Sequence, residues 1–395
     1  METKDLKEQL FYKKQSVYQK ASSEAIDDAY AFAVDYMKYL DDAKTEREAV
    51  DAAIIIAEAA GFKPYKLGQT LNVGDKCYYN NRGKNLFLFT IGSENIHNGI
   101  RISAAHIDSP RIDIKPVPLY EDEGMSFLKT HYYGGVRKYQ WLAIPLALHG
   151  VVVKADGTQV NVVIGEDEGD PVLYINDLLP HLAANYNSKP LGSAIEGEKL
   201  NILIGSRPLG DEDNAIKLNT MKILNEKYGI VEEDFLTAEL SIVPAQKARD
   251  VGLDRSMIGA YGHDDRVCAY PALKAIIDCA DSTHTLMCIL ADKEETGSDG
   301  NTGMQCDFMM DLIEEIALSR GANQELFALT PSASPLTYPL LMTPTLQRYL
   351  KRETLPFFPA AWFLQSTQAL AARAAQMTLT QNSSALFVRR WQNTV

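Results

Sequence analysis

The chain of 395 residues is longer than one hydrophobic core ordinarily fills, so two domains are expected. Hydrophobic residues make up 46% and charged residues 23%, a globular profile that excludes global disorder and collagen-like architecture. With 52 Asp+Glu against 39 Lys+Arg, the formal charge of -13 repels nucleic acid and anionic membranes, and neither is expected as a partner.

From the amino terminus, METKDLKEQL is charged and lacks an apolar leader, and residues 6 to 61 read as helical. Thr45 followed by Glu48 forms a capping box, Ala49 to Ala60 favours helix, and Gly61 with Pro64 stops it. Beta signals follow at Cys77 to Tyr79, Leu86 to Ile91 and Ile100 to Ala105. The longest apolar run, Trp141 to Val153, is broken by Pro145, His149 and Gly150, so no membrane span is expected.

Two strands, LHGVVV and VNVVI, flank the turn Ala155-Asp156-Gly157, and another strand follows at Ala238 to Val243. Residues 149–245 therefore read as an inserted second domain. Beyond it the order is α/β again: a helix from Asp265 to Asp281, a strand from Thr285 to Leu290, an acidic glycine-rich loop, and a helix from Gly303 to Leu318. Cys77, Cys268, Cys279, Cys288 and Cys306 contain no C-x-x-C pair, which fits reduced thiols and a cytoplasmic location.

Three short constellations can carry chemistry. His106-Ile107-Asp108 closes the run RISAA at a strand end, where the imidazole could bind a metal and the carboxylate orient it. An isolated H-x-D is more often a capped surface pair. Asp264-Asp265 stands where a helix should start, a place where acids are ordinarily caps, but a carboxylate there can also bridge two cations. Glu294-Glu295 follows an apolar strand, so one glutamate can bind metal while the other takes a proton from water.

Other motifs are poorer. Glu166-Asp167-Glu168 lacks the EF-hand pattern, Gly134-Gly135 does not extend to a dinucleotide loop, and neither G-x-S-x-G nor Walker A occurs. His97, His131, His149 and His284 carry no motif and read as structural.

AAHIDSPR, the acid pair after GAYGH and DKEETGS, in this order with a long insert, resemble the M18 family of metalloaminopeptidases. The likeness covers roughly residues 10 to 325, including LKTHYYGGVRKYQW and VPAQKARDVGLDRSMIGAYGHDDR. It implies an α/β zinc-peptidase-like catalytic domain, with a mixed sheet flanked by helices, in residues 1–148 and 246–327. A β-rich dimerisation domain at 149–245 interrupts it, and the subunits form a homo-oligomer.

It further implies that His106, Asp264 and Glu295 are metal ligands, Asp108 the partner orienting His106, and Glu294 the general base. His181 resembles an insert-domain histidine that reaches a neighbouring subunit's site; a solvent-facing helix histidine is the alternative. Two zinc ions, about 3.5–4 Å apart, are the expected cofactor, with cobalt or manganese able to use similar donors. Peptides would lose one N-terminal residue, commonly an acidic one in this family.

The last 75 residues depart from that pattern. Beyond Arg320 there is one glycine, no aspartate, no histidine, and only Glu325 and Glu353 among the acids. The family supplies a further aspartate ligand and a final histidine there. Leu329 to Pro344, re-read one frame over, permits HSKCLTADVSAAYDP, which is family-like; Met342-Thr343 must then give the codon GAC, aspartate. Residues 328–395 are therefore expected to be an aberrant, poorly ordered tail on an enzyme whose activity is impaired. The competing reading is a non-catalytic oligomerising or peptide-binding relative.

Overall fold

The computed structural model describes residues 3–12, 16–279 and 282–322. The tail expected at 328–395 lies outside the described residues. Contacts divide the described residues into two units, one of those up to 39 together with 248–260, the other of those from 40 to 247 and from 261 to 322.

Three helices open the chain: α1 (Thr3–Leu10), α2 (Ser23–Asp42) and α3 (Glu46–Ala59). The capping box stands as read. Thr45 accepts from the Glu48 N–H, and the Glu48 carboxylate accepts from the Thr45 N–H at 2.9 Å.

In the larger unit, β1 (Lys63–Pro64), β2 (Lys76–Asn81), β3 (Asn85–Thr90) and β4 (Ile100–His106) come first. Next are β5 (Arg111–Asp122), β6 (Met125–Tyr133), β7 (Leu146–Val153), β8 (Gln159–Ile164), the short helices α4 (Ala184–Asn187) and α5 (Leu191–Ala194), and β9 (Ile202–Gly205). Then come α6 (Ala215–Tyr228) and β10 (Ala238–Pro244). In the smaller unit β11 (Arg249–Val251) pairs antiparallel with β12 (Met257–Gly259). The chain returns through α7 (His263–Asp278), β13 (Thr285–Ala291) and α8 (Phe308–Ser319).

One sheet has the order β1-β2-β3-β13-β4, with β13 parallel to β4 and antiparallel to β3. Every residue of β3 and β13 is buried, as continuous apolar strands are when helices cover both faces. Phe87, Phe89, Ile102 and Ile289 pack with Met309, Leu312 and Ile316 of α8, while α7 lies against β4 and β13. The second sheet is antiparallel, β8-β7-β10-β5-β6-β9, around a core of Ile112, Leu128, Leu148, Leu240 and Ile242. It takes β5 and β6 from before residue 149 and β8 to β10 from within 149–245.

Two element boundaries differ from the sequence reading. α8 begins at Phe308 rather than Gly303, because residues 301–303 are held elsewhere. The Asn301 and Thr302 carbonyls accept from Asn81 and Asn85, and a Cβ on Gly303 would lie 2.1 Å from the Ser298 carbonyl oxygen. At the start of α7, Asp264 and Asp265 have non-helical backbone angles and a cis peptide between them, so regular helix begins after the acid pair.

Candidate metal centre

Parallel pairing places Ala291, the last residue of β13, beside His106, the last of β4. Carboxyl ends of parallel strands are where open α/β sheets form their sites, and here that edge brings H-x-D next to the Glu294-Glu295 turn. The start of α7 adds the acid pair, tied to the β4 end by Ser109 Oγ donating to the Asp264 carbonyl at 2.8 Å. Arg266, fully buried, donates to the Ile107 carbonyl at 3.0 Å.

Asp108 is the fixed point of the group. It lies past the end of β4, so it meets His106 through a turn of the chain and not through the pleat. Its buried carboxylate accepts from Tyr133 Oη at 2.7 Å and from the backbone N–H groups of Glu294 and Glu295 at 3.2 Å each. His106 Nδ1 lies 3.3 Å from Asp108 Oδ1 and 2.9 Å from the Asp108 carbonyl oxygen. A carbonyl only accepts, so Nδ1 carries its proton there and Nε2 faces the other acids. Burial alone would raise the Asp108 pKa; the donors from His106, Tyr133 and the Glu295 N–H more than offset it and hold it below the usual range.

Nε2 of His106 stands 3.2 Å from Asp264 Oδ1 and 3.6 Å from Glu294 Oε2. Burial by itself would depress the His106 pKa, yet Asp108 and Asp264 raise it well above normal. The acids show the opposite strain. Burial, then the charge of Asp264, pushes Glu295 up to about 7. Asp265, buried with Oδ2 lacking a hydrogen-bond partner, is likewise pushed to about 7, by burial first.

The donor set suits zinc in kind: one imidazole whose Nδ1 is committed to Asp108, and carboxylate oxygens crowded beside it, Glu295 among them raised by burial and by the charge of Asp264. It is short in number. Among the described residues no three His, Cys, Asp or Glu side chains are gathered tightly enough to hold an ion alone. His106 contacts Asp264 and Glu294 pairwise, while Glu295 joins the group through its backbone bond to Asp108.

His181 is exposed in the turn at 180–182. Sequence reasoning missed Tyr133 and also Asp292, whose buried carboxylate accepts from Thr302 Oγ1 and the Lys293 N–H at 2.8 Å each. The only local signal for Tyr133 was its place before the glycine pair.

Residues 39–334 match the family described as aminopeptidase I zinc metalloprotease (M18). A probable M18 family aminopeptidase 1 of Clostridium acetobutylicum is 49% identical over 317 residues, which is 79% of this chain and 68% of that protein. The crystal structure of an M18 family aminopeptidase from Thermotoga maritima superposes with a TM-score of 0.76 at 43% identity, covering 81% of this chain and 70% of that one. The mApe1 dodecamer of S. cerevisiae shares the fold, with a TM-score of 0.59 at 20% identity, covering 74% of this chain and 68% of that one. The chain thus spans about two thirds of the length of these relatives.

Proposed function

The chain belongs to the M18 family of zinc metalloproteases, the aminopeptidases, and from that premise we propose that His106, Asp264 and Glu295 are its zinc ligands. In the same reading Asp108 orients His106 and Glu294 is the general base. The observation that carries this is the convergence of two acids from different elements on His106 Nε2 while Nδ1 is committed to Asp108.

Zinc bound there supplies Lewis acidity, polarising the scissile carbonyl and lowering the pKa of water toward about 7. The chain's own residues do the rest. Asp108 holds the imidazole in one tautomer and orientation, so that Nε2 is presented as a donor. Glu294, part-exposed beside Nε2, takes a proton from the attacking water and passes it to the departing amine. Asp264, half-exposed, faces the same space from the start of α7.

Two ions are the expected complement, with cobalt or manganese as substitutes, and the substrates are peptides losing one N-terminal residue. Residues 149–245 form the core of the dimerisation element, and the chain works as a cytoplasmic homo-oligomer in which His181 reaches a neighbour's site. Exposed Leu178, Leu179, Leu182 and Leu191 around His181 support that surface, and all five cysteines are free, as in a reducing compartment. Among the described residues no helix is long and apolar enough to cross a membrane.

The lack of any aspartate or histidine beyond Arg320 favours a second reading, an oligomerising or peptide-binding relative without turnover, and also the expected impairment. Release of N-terminal Asp, Glu and Leu from short peptides, with and without added zinc and with Glu294→Gln alongside, separates the readings. Zinc-dependent release lost in the variant supports the enzyme; tight zinc binding without release supports the binding relative.

A further inference from the structure

The β5–β6 hairpin leaves from one end of the site and comes back to it. β5 starts three residues after Asp108, and β6 ends at Tyr133, opposite Arg111 in the strand register. The alternation of β6 breaks at its end, and burial decides which tyrosine matters. Tyr132 is 42% exposed and stacks on His131, whereas Tyr133 turns inward and donates to Asp108 Oδ2 at 2.7 Å. Its ring is held by the Arg111 guanidinium, 4.0 Å from the ring centre, and Arg111 is itself anchored to Glu46 at 3.0 Å and Asp113 at 2.7 Å.

The next two residues meet the other acid. Gly134 has φ +73, and a Cβ built on it would lie 2.7 Å from Glu295 Oε2 and 2.9 Å from Glu295 Cβ. Rotating the carboxylate away could relieve the first clash but not the second, so Glu295 keeps its place only against a residue without a side chain. The Gly135 N–H points at Glu295 Oε2, 3.4 Å away.

We propose that the Tyr133-Gly134-Gly135 turn is a positioning element of the metal centre, Tyr133 fixing Asp108 and thereby His106, the two glycines fixing Glu295. The inference rests on the reading of His106 and Glu295 as ligands and extends it to groups that touch no ion. Its tyrosine belongs to the six-stranded sheet and its targets lie just past the ends of β4 and β13 of the five-stranded one, so the hairpin carries the geometry of one sheet into the site of the other.

The test uses the full chain as Tyr133→Phe, Gly134→Ala and the neighbouring control Tyr132→Phe. Apo protein is titrated with Co2+ against a chromophoric chelator, and its histidine side chains are observed by 15N NMR without metal. Loss of such an outer partner typically weakens metal binding about ten- to a hundredfold, which is the change expected of Tyr133→Phe and Gly134→Ala, with Tyr132→Phe as wild type. In the metal-free spectra Tyr133→Phe should shift or broaden the His106 Nδ1–H resonance held by Asp108, and Gly134→Ala should leave it sharp.

Wild-type affinity in both variants, or equal damage in Tyr132→Phe, overturns the proposal. Should the wild-type chain bind no Co2+, the ligand reading fails; the imidazole signal then decides the positioning role alone, and an unchanged Nδ1–H resonance in Tyr133→Phe overturns it. If Gly134→Ala does not fold, Tyr133→Phe carries the test through both measurements.

Discussion

Two buried histidines in this protein sit between carboxylates, and they differ in how the charge is balanced. His149 on β7 bonds Glu48 Oε1 through Nδ1 at 2.7 Å and Glu166 Oε1 through Nε2 at 3.1 Å, one acid to each nitrogen. Lys247 and Lys44 complete the charge around Glu166. Burial would raise both acids, but the imidazolium more than offsets it and both titrate below normal. Around His106 the acids outnumber the cation: Glu295 and Asp265 are pushed up to about 7, with burial and then neighbouring charge the main causes for Glu295. A histidine whose acids are all pulled down is a structural ion pair; at His106 the paired Asp108 is lowered too, but further acids nearby are pushed up, and there a cation would bring relief.

Substitutions at the two histidines should therefore separate cleanly. The largest effect is expected at the crowded site, where Glu294→Gln should lower zinc-dependent release of an N-terminal residue by about 10²–10⁴-fold. Zinc affinity, measured by chelator competition, should change far less. Parallel loss of affinity and turnover would make Glu294 a ligand and not the base.

Next in size, zinc should raise the melting temperature of the wild-type chain and of His149→Ala but not of His106→Ala. Under saturating zinc the gain is about 2.7 kcal/mol at a hundredfold excess over Kd. Equal zinc responses in all three proteins would erase the distinction between the sites.

Without metal the order reverses. His149→Ala leaves Glu48 without its cation and Glu166 with its lysines alone, and should cost about 3 kcal/mol in denaturant titrations. The pH dependence follows from the shifts. The His149 pKa is raised in the fold, against burial, by Glu166 and Glu48, so its contribution is complete below an unfolded value of about 6.5 and fades as pH rises through the folded one. Glu48 and Glu166 are lowered, so theirs is complete above about 4.5 and fades on acidification. The stability gap between wild type and His149→Ala should be widest from about pH 4.5 to 6.5, and a gap that is flat across pH 4 to 9 contradicts the ion-pair account.

The smallest effect probes the double role of Glu48, which caps α3 and binds His149 with the same carboxylate. Thr45→Ala removes the cap and the Thr45 hydroxyl's bond to Glu48, at about 1 kcal/mol, and should leave the alkaline edge of the gap, which His149 sets, unchanged.

Much of the fold was legible from local pattern. The apolar runs LFLF and TLMCIL, the Thr45–Glu48 box and the α/β order all lie where the sequence places them. The β5–β6 hairpin was not legible, for a physical reason. RIDIKPVPLYED carries Pro116 and Pro118 around Val117 at φ +51, and the ladder slips between Ile114 and Leu119, so the strand has no clean two-residue period. Of the site, the three acidic motifs were visible as residue types; the Tyr133 grip was hidden in a strand whose other tyrosine faces water.

Sequence by itself determined which groups can ligate, where strands end and which helix starts are capped, because these depend on neighbours within a turn or a pleat. Only the tertiary structure decided that Asp264 and Glu294 share one imidazole nitrogen while Asp108 claims the other. That choice rests on the parallel register of β4 with β13, residues almost two hundred positions apart, and on a hairpin returning from the second sheet. Backbone hydrogen bonds between distant strands set that register, and no local pattern in the chain records it.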